Sequence, residues 1–201
     1  MRQRTWDDAP VAERDWRAQK RDSTRARLTA AAFALFDERG YSSVSVGDIA
    51  HGAGVSVPTF YAYFRTKEHV VLPDQDLDWI AGHLAAQPPD LPLPEQLRLG
   101  LRTLVAGLTR EQEELALRRW RYVQADPGLQ MRAAERENHS ARVVVAELGV
   151  DPATPAGSAI VVVVVACLRA ATAAMVRWAA ADGRHPLPDL VDEAFAALRS
   201  M

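Results

Sequence analysis

Little in this chain invites a disulfide, metal or redox reading, because its 201 residues include one cysteine, Cys167. A lone thiol cannot build a disulfide framework or a paired-cysteine metal site, and it is expected of a protein in a reducing, cytoplasmic setting. Residues 1–22 carry charge throughout and lack an apolar stretch, so no secretory leader is expected there. Long hydrophobic runs are scarce as well. Ala159 to Leu168 is apolar for ten residues before Arg169 interrupts it, about half of what a membrane-spanning helix needs; a buried core helix and no membrane partner are expected. The one β-branched run, Val161 to Val165, continues into Ala- and Leu-rich helical sequence, so strands are not expected. No phosphate-cradling glycine loop or nucleophile elbow occurs, so no catalytic residue, cofactor or metal is assigned. Asp74, Asp76 and Asp78 come nearest to a metal site, but Asp76 points away from the other two on a helix and no glycine follows to close a calcium loop.

What the chain does have is charge and helical periodicity. Acidic and basic residues nearly balance, 26 against 24, and 48% of residues are hydrophobic, enough for a sizeable core. The charge is uneven: residues 1–70 hold 11 Lys/Arg against 9 Asp/Glu, and residues 71–201 hold 13 against 17. Arg14, Arg17, Lys20, Arg21, Arg25 and Arg27 face only Asp15 and Asp22. Such a segment is most often a solvated tail, and it suits an anionic partner only where a neighbouring element gives it one.

Apolar spacing and capping signals predict an all-α protein of about nine helices. Residues 1–23 are expected to form a basic, partly flexible arm. Thr24–Arg39 should be the first long helix, stopped by Gly40. Ser45 should cap a short helix to Gly52, with Asp48 completing a shortened capping box, and Ser56 should cap another to about Phe64. A fourth helix is expected from Lys67 to Ala86, bent at Pro73, and then a proline-rich loop over residues 87–94. Further helices are expected over 94–108, 111–124, 129–148, 155–181 and 187–199, with a turn at Asp126-Pro127-Gly128.

The informative segment is Thr24 to Glu68. Two short helices joined across Ala53-Gly54-Val55 have the shape of a helix-turn-helix, in which glycine permits the tight turn and small residues permit close packing. Ile49, Val55 and Phe60 are expected to bury against Phe33 and Phe36. The second short helix then turns its first residues outward, as a helix entering a major groove must. Leu35-Phe36, Arg39-Gly40-Tyr41, Ser45-Val46, Ile49-Ala50, Ala53-Gly54-Val55-Ser56, Thr59-Phe60-Tyr61, Tyr63-Phe64 and Lys67-Glu68 stand in the order seen in one family. On these positions residues 24–69 resemble the DNA-binding domain of TetR-family (tetracycline-repressor-like) transcriptional regulators. The resemblance implies that Arg25, Ser45, Val46, Val57, Pro58, Thr59, Tyr61, Ala62, Tyr63 and Lys67 contact double-stranded DNA. Ser45, Tyr61, Tyr63 and Lys67 would serve phosphates, and Thr59 a base edge. Val57 and Ala62 depart from the family, which often places basic or polar residues there. Phe60 and Phe64 are expected in the core.

The same resemblance implies that residues 70–201 form a ligand-binding and dimerisation domain for a small-molecule effector. Trp79, His83, Trp120, His139, Arg142, Cys167, Arg169 and Trp178 are the candidate ligand contacts. Arg169, inside an apolar helix, needs a carboxylate from a ligand, from the chain itself or from a dimer mate. Ile160 to Leu168 is apolar on every side and is expected to be covered on every side. Ala166, Ala170, Ala171, Ala173 and Ala174 permit close approach, and together with the stripe Leu187, Leu190, Val191, Ala194, Phe195 and Leu198 they are expected to form a four-helix homodimer interface; a two-fold dimer implies a palindromic operator. The expected activity is that of a repressor released by its effector; the rival readings are a helical enzyme and a protein-interaction module.

Overall fold

The computed structural model describes residues 11–73, 82 and 86–200, with side chains described from residue 19 onward. Among the described residues there are nine α-helices and no strand. The chain divides into two compact units between Val70 and Val71.

The first unit opens on α1 (Val11–Arg39), a single helix of 29 residues. Residues 11–23, expected in a partly flexible arm, are therefore helical. The physical reason is that Val11–Arg39 contains neither glycine nor proline, so a helix folded from Leu28 onward propagates backward at little cost. Thr24, which reads as a start signal, instead donates its hydroxyl to the Lys20 carbonyl at 3.0 Å from inside the helix. A 3-10 turn (Tyr41–Ser43) follows Gly40, whose φ of 80° suits glycine. Then come α2 (Val46–Gly52), α3 (Val57–Tyr63) and α4 (Glu68–Val71). Leu28, Phe33, Phe36, Ile49, Phe60 and Phe64 form the core of this unit, each at most 3% exposed. Val55, expected among them, stays partly exposed at the helix-turn-helix corner.

The described start of the expected fourth helix is α4, which ends at Val71 just before the bend expected at Pro73, and Gly82 is again helical. Pro73 supplies no N–H and disfavours a helical conformation at Leu72. Trp79, His83, Asp74, Asp76 and Asp78, which the sequence reading placed on or near this helix, lie outside the described residues, as do the side chains of Arg14 and Arg17.

The second unit is a bundle of α5 (Leu93–Ala106), α6 (Arg110–Ala125), α7 (Pro127–Glu147), α8 (Pro155–Ala180) and α9 (Leu187–Arg199). Asp126 ends α6 and caps α7, accepting from Leu129 N at 3.0 Å, so the expected turn is a one-residue junction. Helix α8 packs against α5, α6, α7 and α9. By length and composition it is also able to cross a membrane. Its two arginines are instead tied to carboxylates of neighbouring helices, Arg169 to Glu137 and Arg177 to Glu193.

Two features of this unit bear on the expected four-helix interface. Leu187, Leu190, Val191 and Phe195 of α9 are 1–4% exposed within the single chain, in one cluster with Val164, Cys167 and Trp178 of α8. These four side chains are already covered within one chain, whereas Ala194 and Leu198 are partly buried against the same cluster. On α8, Val162 is 67% exposed in the single chain.

Candidate functional site

Helix α3 offers the outward surface of the first unit. Ser56 caps it, accepting from Thr59 N at 3.2 Å, and Pro58 sits in the first turn. On one face Phe60 is fully buried and Phe64 nearly so, their rings 5.7 Å apart. On the other, Val57, Pro58, Tyr61 and Ala62 are exposed, Tyr61 to 54%. Thr59 and Tyr63 are half-buried between the two faces. The Thr59 hydroxyl is 2.8 Å from that of Ser56, so its donor is shared with the cap. Arg25 of α1 lies over the Phe64 ring, 5.3 Å from its centroid, beside the same helix.

Helix α2 is held by a complete capping box. Ser45 accepts from Asp48 N at 3.1 Å, Asp48 Oδ2 accepts from Ser45 N at 2.9 Å, and the Ser45 hydroxyl also meets that carboxylate. These bonds with Ser45 hold the Asp48 carboxyl below its usual range. The Ser45 hydroxyl is thus engaged internally, and an anion already occupies the N-terminus of α2. Ser45 itself is exposed, and Val46 is half-exposed beside it.

Lys67 also has internal work. Its ammonium donates to the carbonyls of Tyr41 (3.1 Å) and Val44 (3.3 Å) and lies 4.4 Å from the Tyr41 ring centroid. Tyr41 in turn donates its hydroxyl to Glu68 Oε1 at 3.0 Å. Burial pushes the Glu68 carboxyl up, but bonds from Thr66, its own backbone and Tyr41, with the Lys67 charge, outweigh that and leave it below its ordinary value. This clamp joins the 3-10 turn to the start of α4. The sequence reading quoted Tyr41 and Lys67-Glu68 separately and missed their contact.

The second unit holds a cavity of about 200 Å³. Its apolar wall includes Leu101 and Leu104 of α5, Trp120 of α6, and Leu168 and Met175 of α8. The polar groups are Arg119, Arg136, Glu137, Ser140 and Thr172, with Arg136 stacked 5.8 Å from the Trp120 ring. Of the expected ligand contacts that are described, Trp120 lines this cavity and the others do not. His139 and Arg142 are exposed on the outer side of α7. Cys167 and Trp178 pack in the core between α8 and α9, and burial raises the thiol pKa to about 11. Arg169 is exposed and reaches Glu137 rather than the cavity.

The polar cavity residues were missed because they are unremarkable as a string. One signal was present: Ala133, Glu137, Ser140, Ala141 and Val144 follow helical spacing, and all are buried. A carboxylate on an inward stripe needs a partner inside the fold.

Comparison with known proteins decides the family. Residues 28–72 match the model of bacterial regulatory proteins of the tetR family, and residues 91–201, more than half of the chain, match the MftR C-terminal domain. The chain belongs to the TetR family. Among TetR-family relatives, the HTH-type transcriptional regulator EthR of Mycolicibacterium smegmatis is 45% identical over 51 residues, 25% of this chain and 24% of that protein. EthR of Mycobacterium tuberculosis is 36% identical over 85 residues, 40% of this chain and 39% of that protein. The chain matches less than half the length of these curated relatives. A structure of Thermus thermophilus FadR, a TetR-family transcriptional repressor in complex with lauroyl-CoA, is 25% identical with a TM-score of 0.51, covering 87% of this chain and 92% of that one.

Proposed function

We propose that this chain is a cytoplasmic transcriptional repressor that binds a palindromic operator as a homodimer and releases it when a small molecule occupies the second unit. The observation that carries this reading is α3: a capped helix whose exposed face is Val57, Pro58, Tyr61 and Ala62 and whose opposite face is locked by Phe60. A groove about 12 Å wide accepts one such helix. Thymine methyls suit Val57 and Ala62, Thr59 reaches a base edge, and Tyr61, Tyr63 and the remaining donor of Lys67 suit phosphates. Arg25 supplies positive charge alongside.

Two recognition helices require two chains, and the exposed stripe of α8 fits that role. Ala159, Val162 and Ala173 lie on its outer face, with half-buried Ala166 between them. Small residues around one exposed valine permit close helix approach, and Ala196 and Ala197 of α9 are also exposed. The dimer seam is therefore proposed to centre on the α8 face of the expected four-helix interface. That FadR is described with a bound acyl-CoA supports a small-molecule effector for the cavity, and linkage requires that such an effector and DNA weaken one another equally.

The test is binding to a promoter library followed by anisotropy with the selected duplex. The expected result is a palindromic site, a steep loss of affinity with salt, and a dimer by light scattering that Val162→Asp converts to monomer with loss of operator binding. A protein that stays monomeric, or that binds no duplex, would overturn the reading.

A further inference from the structure

The arginines of α1 recur at one helical spacing. Residues 14, 17, 21 and 25 stand three, four and four apart, so at 3.6 residues per turn they fall within an arc of about 80°. Leu28, Ala32 and Phe36 continue the same stripe, and there it is buried, each residue at most 1% exposed. One face of one helix thus changes from cation to core after Arg25. Asp15 and Asp22 share a different flank, and Glu13 alone borders the stripe, a turn from Arg17.

Gln19 to Ser23 are all exposed, more than a full turn of helix, and burial begins at Thr24. Over that turn α1 stands clear of the first unit, and its helical backbone continues to Val11. Arg21 and Arg25 are exposed and make no ion pair among the described residues. Arg25 stacks on Phe64, the residue that ends α3, so the stripe leaves the unit beside the helix proposed to enter the groove. The match to the tetR family begins at Leu28, and the overhang lies outside it.

We infer that this overhang is a further DNA-contacting element, which lays its arginine stripe on phosphates flanking the groove that α3 occupies and reads no base. The inference rests on α3 being the recognition helix of the proposed regulator. Charge complementarity names the occupant. A duplex carries one negative charge per about 1.7 Å of its axis. Arg14 to Arg25 spans about 16 Å of helix, the length of roughly five base pairs. Width excludes base reading, because a helix with its side chains is about 10–12 Å across and the minor groove about 6 Å. Contacts to phosphates add affinity and set register without carrying sequence information. Arginines already aligned on a helix also lose less freedom on binding than those of a solvated tail.

The test compares two double variants of the full chain that lose the same charge from two sides of α1. Arg17→Gln with Arg21→Gln empties the stripe, whereas Lys20→Gln with Arg27→Gln removes two cations that lie off it. Glutamine is a good helix former, and melting curves check folding. Each protein is titrated by anisotropy with the selected operator and with a shuffled duplex over a range of salt. The on-stripe variant is expected to flatten the slope of log K against log salt by about two per chain, with a loss of about tenfold or more in affinity at low salt. Both duplexes should lose alike, leaving the operator preference within about twofold. The off-stripe variant should keep the wild-type slope. Hydroxyl-radical cleavage should show backbone protection beyond the base pairs under α3, absent in the on-stripe variant. Equal slopes for the two variants, a wild-type slope in the on-stripe variant, or a loss confined to the operator would overturn the inference. Operator preference with unchanged slopes sinks this inference alone. Stripe-dependent binding of both duplexes without operator preference sinks the regulator reading alone, and failure to bind either duplex sinks both.

Discussion

Arg169 Nη1 lies 3.0 Å from Glu137 Oε2, joining a guanidinium that is 63% exposed to a carboxylate that is 8% exposed. The bond runs from the outer stripe of α8 to the wall of the cavity. Of the three partners that the arginine's position allowed, the chain's own carboxylate is the one it has.

The asymmetry of that pair sets a prediction. Arg169→Met leaves Glu137 buried without its cation and should destabilise the protein by about 1–2 kcal/mol, near the low end for charged hydrogen bonds because the arginine is solvent-screened. Adding Glu137→Leu should recover part of the loss, since an apolar residue has no charge to leave unmet. Denaturant unfolding of both variants checks this; a double variant less stable than Arg169→Met would show that the cost lies elsewhere.

Adjacent residues on α3 should separate stability from DNA binding. Phe60→Ala empties a fully buried position and should cost about 3–5 kcal/mol. Tyr61→Ala removes an exposed ring and should change stability by less than about 0.5 kcal/mol, yet weaken binding to any duplex several-fold. Melting curves and anisotropy on the same samples distinguish the two effects. Equal duplex affinity of Tyr61→Ala and wild type would remove Tyr61 from the interface.

Gly157 on α8 is a position where only glycine fits. A Cβ there would lie 1.9 Å from the Asp151 carbonyl oxygen, which is backbone and cannot swing aside. Gly157→Ala should therefore destabilise the second unit by more than 2 kcal/mol, on the scale of about 1–3 kcal/mol or more for overpacking. At Gly54 a Cβ meets nothing within 4 Å, and the strain comes only from φ of 65°. Gly54→Ala should cost about 1–2 kcal/mol. If the two variants melt alike, the α7–α8 loop gives way more easily than its geometry implies.

Acid should loosen the tie between α5 and α9. Arg98 bonds both Glu95 and Asp192, Arg102 also bonds Asp192, and Arg199 lies 3.3 Å from Glu95. The Arg98 hydrogen bond holds the Glu95 carboxyl below its ordinary value of 4.5. A carboxyl depressed in the folded state stabilises fully above its unfolded pKa, and that contribution is lost as pH falls through the folded value. Melting temperature should thus drop as pH decreases below about 4.5, and Glu95→Gln should flatten that slope while lowering the plateau near neutrality. An unchanged slope in Glu95→Gln would assign the acid response to other carboxyls.

Much of the first unit is legible along the chain because its determinants are local. Ser45 and Asp48 lie three residues apart, as do Ser56 and Thr59, and each pair makes its cap within one turn. Gly40 and Gly54 adopt the positive φ their breaks require. The inward positions Ile49, Phe60 and Phe64 follow from periodicity. Lys67 was harder to read: a lysine beside a DNA-reading motif suggests a phosphate, while its two backbone acceptors lie 23 and 26 residues upstream.

In the second unit the string is ambiguous wherever two surfaces compete for the same stripe. An apolar face on α9 states that it will be covered, and the string does not say by what. By itself the sequence determined the helices, their caps and breaks and the family they compose, since those depend on hydrogen bonds and steric limits within a few residues. Only the tertiary structure decided that Leu187, Leu190, Val191 and Phe195 meet α8 of the same chain, that Val162 faces outward, and that Glu137 finds Arg169 32 residues away. Burial is a contest among all helices at once, and its outcome is set by shape and charge across the whole bundle.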